Sequence, residues 1–288
     1  MSTVKSDLLQ LVHQAGTATD LPPVSQIYIP EPNPEQSHTE FGVIMLADGS
    51  AGLYYAWLGE SQRGMNVKFH AQEFIGKSPL DLVTLYNSHD EADCSIGLAA
   101  INAITQYIFR LADYKLAAAG NSMGALEFMP DDHIGMVGYF PSLVSKLRQR
   151  AIRLTVIEKK TKFLESGDLV NITTEPARLG TCNKVIITAA TLLNETIDAM
   201  LDYASGAEQI VVVGPTAGFF PDPLFARRVT AIGGSEIILP EVLIDRLKRD
   251  QGMGASASKY LIEKDNYPGA AILLKQILRN NTPKIVND

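Results

Sequence analysis

The spacing of apolar positions changes along the chain. Residues 4–14, VKSDLLQLVHQ, have the period of a short amphipathic helix. The next runs are β-rich: SQIYIPE (25–31), FGVIMLA (41–47) and, after the turn signal DGSAG, LYYAWL (53–58). These predict a small antiparallel sheet. A long helix is expected next, opened by a capping box at Ser88 and Glu91. Ile101, Ile104, Ile108 and Leu111 would lie on one face of it, with Asn102 beside that stripe. A sheet followed by helices is an α+β arrangement. Residues 115–132 have no clean period, and the domain boundary is expected there, giving domains 1–120 and 121–288.

From residue 133 the pattern changes again. HIGMVGYF reads as a strand and PSLVSKLRQRA as a helix. RLTVIEKK (153–160), NKVIITAAT (183–191) and EQIVVVGPT (208–216) read as strands, and ETIDAMLDYASG (195–206) as a helix. PDPLFARR (221–228) is a short helix, VTAIGG and EIIL are strand-like, and PEVLIDRLKRD is a helix. YPGAAILLKQILRNN is a final amphipathic helix. Runs such as VIIT and IVVV do not alternate, as expected of parallel strands covered on both faces. Strands and helices in alternation predict an α/β, doubly wound, mostly parallel sheet.

The bulk properties narrow the classes. The chain has 288 residues, 46% of them hydrophobic and 20% charged, which suits a globular protein with a sizeable core. Its formal charge of −7, with no long basic run, argues against nucleic acid as a partner. No stretch of about 18 apolar residues predicts a membrane span, and MSTVKSDLLQLVHQAG lacks a signal-peptide core. Cys94 and Cys182 are isolated from each other, which suits a reducing cytoplasm. A homodimer is the default oligomer.

In an open α/β sheet, ligands bind outside the carboxyl ends of the strands. Four segments should gather there. The glycine turn Gly135–Pro141 places Gly138 for a tight bend and Pro141 at a first helical position. The N–H groups of Tyr139 and Phe140 would then face an anion, unless this is a plain strand–helix turn. Glu158 follows Gly138 by 20 residues, the interval at which dinucleotide folds hold a ribose hydroxyl. The other reading is a solvated charge beside Lys159 and Lys160. TAATLLNET (188–196) offers Thr188, Thr191, Asn194 and Thr196, at least one of them to a ligand, with Asn194 or Thr196 needed as a helix cap. Gly214 and Pro215 end the next strand, and Thr216 and Gly218 shape the loop after it. Phe219, Phe220 and Phe225 behind them are either a cleft wall or core.

Established catalytic motifs are absent: no G-x-S-x-G, Walker A loop or H-E-x-x-H occurs. His13, His38, His70, His89 and His133 are scattered. HDEADC (89–94) collects an imidazole, carboxylates and a thiol, but in a helical first turn, where acids are favoured by the dipole.

GLAAINAI (97–104), GMVGYFPSLVSKLR (135–148), VIEKK (156–160), VIITAATLLNETID (185–198) and VVVGPTAGFFPDPLF (211–225) occur in this order. Together they resemble the "putative heavy-metal chelation" family, formerly a domain of unknown function. The resemblance implies an enolase N-terminal-like α+β domain followed by a Rossmann-like domain. It also implies a polar site in a cleft between them, for a divalent or heavy metal, a metal chelate or a similar small molecule. Carried over by residue, it points to Asn102, Gly138, Glu158, Thr191, Asn194 and Gly214–Thr216. Ala190 and Glu195 depart from the small or polar residues expected in that segment. The alternative function is a transferase-like enzyme acting on a nucleotide- or pterin-like substrate. For Asn102, a buried polar bond within the core is the competing explanation.

Overall fold

The computed structural model describes residues 2–31, 40–56, 68–119 and 126–281. The expected boundary between residues 120 and 121, His38, and the end of the strand expected at 53–58 lie outside these residues.

The chain begins with helix α1, Val4–Thr17, capped by Thr3, whose side chain accepts from the N–H of Ser6. Strands β1 (Val24–Tyr28), β2 (Phe41–Leu46) and β3 (Ala51–Tyr55) form an antiparallel sheet in sequence order. Helices α2 (Pro79–Val83) and α3 (Glu91–Leu111) follow. The cap of α3 differs from the expected Ser88–Glu91 box. Asp90 is the N-cap, accepting from the N–H groups of Ala92 and Asp93 at 3.0 Å each, while the Ser88 hydroxyl accepts from Asp90 N–H. Asp caps as well as Ser, and two N–H donors at once favour the later start.

α3 is the core helix of the molecule. It is long and apolar enough to cross a bilayer, but it is mostly buried inside the protein. Ile101, Ile104 and Ile108 have no exposed surface, and burying each contributes ~1.5–3 kcal/mol. β3 packs closely on α3 because Gly52 has no side chain: a Cβ there would lie 2.0 Å from the Ala99 carbonyl oxygen.

The second sheet contains β4 (Ala117–Ala118), β5 (His133–Val137), β6 (Arg153–Ile157), β7 (Val170–Thr173), β8 (Lys184–Thr188), β9 (Gln209–Val213), β10 (Ala231–Ile237) and β11 (Ala257–Glu263). Its spatial order is β4-β11-β10-β9-β8-β5-β6-β7. The run from β10 to β7 is parallel, and β11 and β4 close one edge antiparallel. Read from β7 to β10, the parallel strands have the order 3-2-1-4-5-6 of a dinucleotide-type sheet. Its connections include α4 (Pro141–Gln149), α5 (Ile197–Tyr203), α6 (Asp222–Phe225) and α7 (Pro240–Lys248), and α8 (Ala270–Asn281) ends the described chain. β4 precedes the expected boundary, so the first segment contributes a strand to the second sheet. VTAIGG and EIIL form the single strand β10, and β7 and β11 have no counterpart among the expected strands.

The two sheet-bearing units share one apolar cluster. It runs from Val4, Leu8 and Tyr54 through α3 to Val185, Ile187 and Val212. Phe219, Phe220 and Phe225 are buried within it, which settles their role as core. Polar ties reinforce the junction. Asp198 accepts from Val4 N–H at the start of α1, Arg227 pairs with Asp7 at 2.7 Å, and Lys5 pairs with Glu195 at 2.6 Å.

Candidate functional site

The order of the parallel strands reverses between β5 and β8. A crevice forms at such a point because the connections leaving the two strands diverge to opposite faces. Here a cleft of about 500 Å³ opens there. It is lined by Gly138, Tyr139, Phe140 and Pro141 after β5 and by Glu158, Lys160 and Phe163 after β6. Thr188 and Ala190 at β8 and Gly214–Thr216 after β9 complete this side. The other unit supplies Glu40, Phe41 and Tyr55.

Each turn has a local cause. Gly138 has φ of +88°, a conformation an L side chain rarely adopts, and a Cβ there would lie 3.1 Å from Thr188 Cγ2. Its N–H donates to the Ile157 carbonyl at 2.9 Å. Pro141 then starts α4 with its φ already helical. Glu158 is held by this turn: one carboxylate oxygen accepts from Tyr139 N–H at 2.9 Å, the other from Lys160 N–H at 2.8 Å. The carboxylate therefore bridges the ends of two adjacent strands.

The walls are aromatic. Tyr139 and Phe163 are stacked, with centroids 4.5 Å apart and planes within 12°. Phe41 and Tyr55 are cross-strand partners in the β2–β3 hairpin and meet edge to face at 5.7 Å. Burial, and then the negative charges of Glu40 and Glu158, push the Tyr55 hydroxyl up to about 12, so it stays a neutral donor near pH 7. With Glu158 and Tyr55 both in the lining, the two units face each other across the cleft.

Gly138, Tyr139, Phe140, Glu158, Gly214, Pro215 and Thr216 are thus brought together, while Asn102, Thr191, Asn194 and Thr196 are not part of the lining. Thr191 is buried and donates to the Thr188 carbonyl at 2.7 Å. Asn194 accepts from both the N–H and hydroxyl of Thr196. Thr196 occupies the N-cap position of α5, but its side chain makes no capping bond. Asn102 lies behind the cleft, donating to the carbonyls of Leu53 at 3.0 Å and Thr216 at 2.9 Å. The sequence reading missed Glu40, Phe41, Tyr55, Lys160 and Phe163. Aromatic residues at the open end of the β2–β3 hairpin were the signal available for two of them.

The donors in this cleft are hard oxygens and one ammonium. Among the described residues, no group of three or more His, Cys, Asp and Glu side chains is arranged to hold a metal ion. A soft heavy metal requires thiolate or imidazole. Cys94 and Cys182 are buried elsewhere, and burial pushes the Cys182 thiol up to about 11. His13, His89 and His133 bond to Leu9, Glu195, and Thr181 with Thr155, respectively. A bare heavy-metal ion does not fit these residues.

The fold is shared with two solved structures of proteins of unknown function. One, from Pyrococcus horikoshii, superposes with a TM-score of 0.66 at 21% identity, covering 89% of this chain and 99% of that one. The other, from Desulfitobacterium hafniense DCB-2, gives 0.66 at 18%, covering 90% and 98%. A relative in sequence is "Uncharacterized protein MJ0500" of Methanocaldococcus jannaschii, 30% identical over 181 residues. That match covers 62% of this chain and spans 64% of the length of the relative. Both solved structures are from the DUF364 family, and the model of that family, described as "Putative heavy-metal chelation", matches residues 121–264: the chain belongs to this family.

Proposed function

We propose that this protein binds a small, flat, polar organic molecule, or a metal already held by such a molecule, in the cleft between its two units. The observation that carries the proposal is the lining itself. The ends of β5, β6, β8 and β9 and the open end of the β2–β3 hairpin border one cleft of about 500 Å³. Ligand pockets of this size are mostly apolar with a few convergent polar groups. Here two aromatic pairs, one from each unit, would contact ring faces. Lys160 would meet an anionic substituent, and the Tyr55 hydroxyl would donate to an acceptor. The family description is compatible with this when the organic molecule brings the metal's soft ligands. The antiparallel sheet followed by α2 and α3 has the element order of an enolase N-terminal-like unit, which we include in the proposal.

The transferase-like reading needs Glu158 to grip a diol. Its two oxygens already accept backbone N–H groups, so simple binding is favoured.

Thermal unfolding with a panel of flavin mononucleotide, purine nucleotides, NAD, S-adenosylmethionine, divalent metal salts and metal–citrate tests the proposal. A ligand present at 100 times its Kd adds about 2.7 kcal/mol. In a chain of this size that is an upward shift of roughly 4–5 °C. The shift should appear with an aromatic or chelate compound and be lost in Tyr139→Ala. Stabilisation by free metal salts alone, or a shift unaffected by Tyr139→Ala, overturns the proposal.

A further inference from the structure

Asn102 is a polar side chain in the most apolar helix of the molecule, and it is 3% exposed. A buried amide is tolerated when its hydrogen bonds are made. Its Nδ2 makes both bonds it can donate, to Leu53 and Thr216. One partner is in β3, two residues before Tyr55. The other is in the wall segment after β9. A single side chain from α3 therefore ties together the two units that border the cleft.

The backbone around it is shaped for close approach. Gly52 and Gly218 flank Asn102, one from each unit. A Cβ at Gly52 would lie 2.9 Å from Asn102 Cβ, and one at Gly218 would lie 3.1 Å from it. Side chains at either glycine would push the helix from its partners and lengthen the amide's bonds.

The carbonyl half of the amide faces a different setting. Asn102 Oδ1 is buried with no hydrogen-bond partner. Asn102 also lines a small chamber of about 20 Å³, with Gln106, Pro215, Gly218, Ser235 and Glu236 among its walls. That volume is enough for one water molecule. Pro215 borders both this chamber and the cleft, so the chamber is directly behind the ligand wall.

We infer that Asn102 is a positioning residue: its amide, completed by one water in the chamber behind it, holds the Pro215–Thr216 wall at a set distance from the hairpin that carries Tyr55. This rests on the reading of the cleft as a ligand site. It replaces direct ligand contact as the role of Asn102.

Native-state hydrogen exchange on the intact protein tests the inference without any ligand. The local reporters are the amides of Gly214, bonded to Gly233, and Ala217, bonded to Gly214. The remote reporter is Leu154 in β6, bonded to Leu169. In Asn102→Leu, which keeps the bulk and removes both donors, the amides of Gly214 and Ala217 should exchange at least tenfold faster with Leu154 unchanged. Gly218→Ala should give the same local pattern in milder form, and it decides the matter if Asn102→Leu does not fold. Unchanged exchange at Gly214 and Ala217, or equal acceleration there and at Leu154, overturns the inference. Since no ligand is used, such a failure is separate from a failure of the binding proposal.

Discussion

Glu158→Gln separates two jobs that a carboxylate at the end of β6 can do. In the structure the group closes a turn, taking Tyr139 N–H at 2.9 Å and Lys160 N–H at 2.8 Å. Glutamine has nearly the same shape but only one acceptor oxygen. Its amide nitrogen would face the second N–H, donor against donor. A hydrogen bond to a charged group contributes about 1.5–3 kcal/mol, and the mismatch adds a desolvation cost. Glu158 is half-buried and Lys160 exposed, so water recovers part of the loss. The expected destabilisation is ~1–2 kcal/mol. Urea unfolding followed by far-UV circular dichroism would show it as a lower midpoint at constant slope. The melting temperature should fall by roughly 2–3 °C. An unchanged midpoint, within ~0.3 kcal/mol, would refute the reasoning: the turn would then not depend on the carboxylate, and its lone pairs would be available to a ligand.

Two further predictions concern the frame around the cleft. Asp132 and Lys184 form a buried pair at 2.8 Å where β5 and β8 begin. Burial alone would raise the Asp132 carboxyl, but bonds from Lys184, Met129 N–H and Asn183 outweigh this and hold it below the ordinary carboxylate range. Because the folded value is depressed, the pair's stabilisation is present above the unfolded pKa of about 4 and is lost as pH falls through the folded value. Asp132→Asn leaves Lys184 buried without its counter-charge and should cost ~3–5 kcal/mol at pH 7, with a flatter acid limb in a stability–pH series. Ala151, just after α4, has φ of +52°, where the turn favours glycine. Ala151→Gly should stabilise by about 0.5–1 kcal/mol in the same urea assay, and a loss of stability would contradict it.

The parallel half of the fold was readable because its strands are buried on both faces. Val185–Ile187 and Ile210–Val213 announce themselves as unbroken apolar runs, and glycine at 138 marks a turn that other residues resist. Chain order then places Glu158 and Gly214 at the carboxyl ends of two strands of one sheet, β6 and β9, with β5 and β8 between them. The first unit's share of the cleft was not readable in the same way. Phe41 and Tyr55 look like ordinary strand aromatics, and only the docking of one unit on the other turns them toward Glu158. Asn102 shows the same limit more sharply. Its partners are 49 and 114 residues away, and no local pattern distinguishes a buried tie from a ligand contact. The misplaced cap of α3 has a different origin: Ser88 and Asp90 are both good caps two residues apart, and the choice rests on which one meets two N–H groups.

Under the proposed function, the family description and the donors in the cleft would be reconciled by the state in which a metal arrives. Binding a soft ion directly requires deprotonated thiols or neutral imidazoles, converging at short distances. The thiol of Cys182 is pushed the opposite way, and Cys94 is also raised by burial. A chelator supplies those ligands itself and presents the protein with an organic surface. Such a surface needs ring faces, a neutral hydroxyl donor and an ammonium, which are among the groups that line this cleft. On this reasoning affinity would follow the organic part, and exchanging the metal within one chelator would change it far less than exchanging the chelator around one metal.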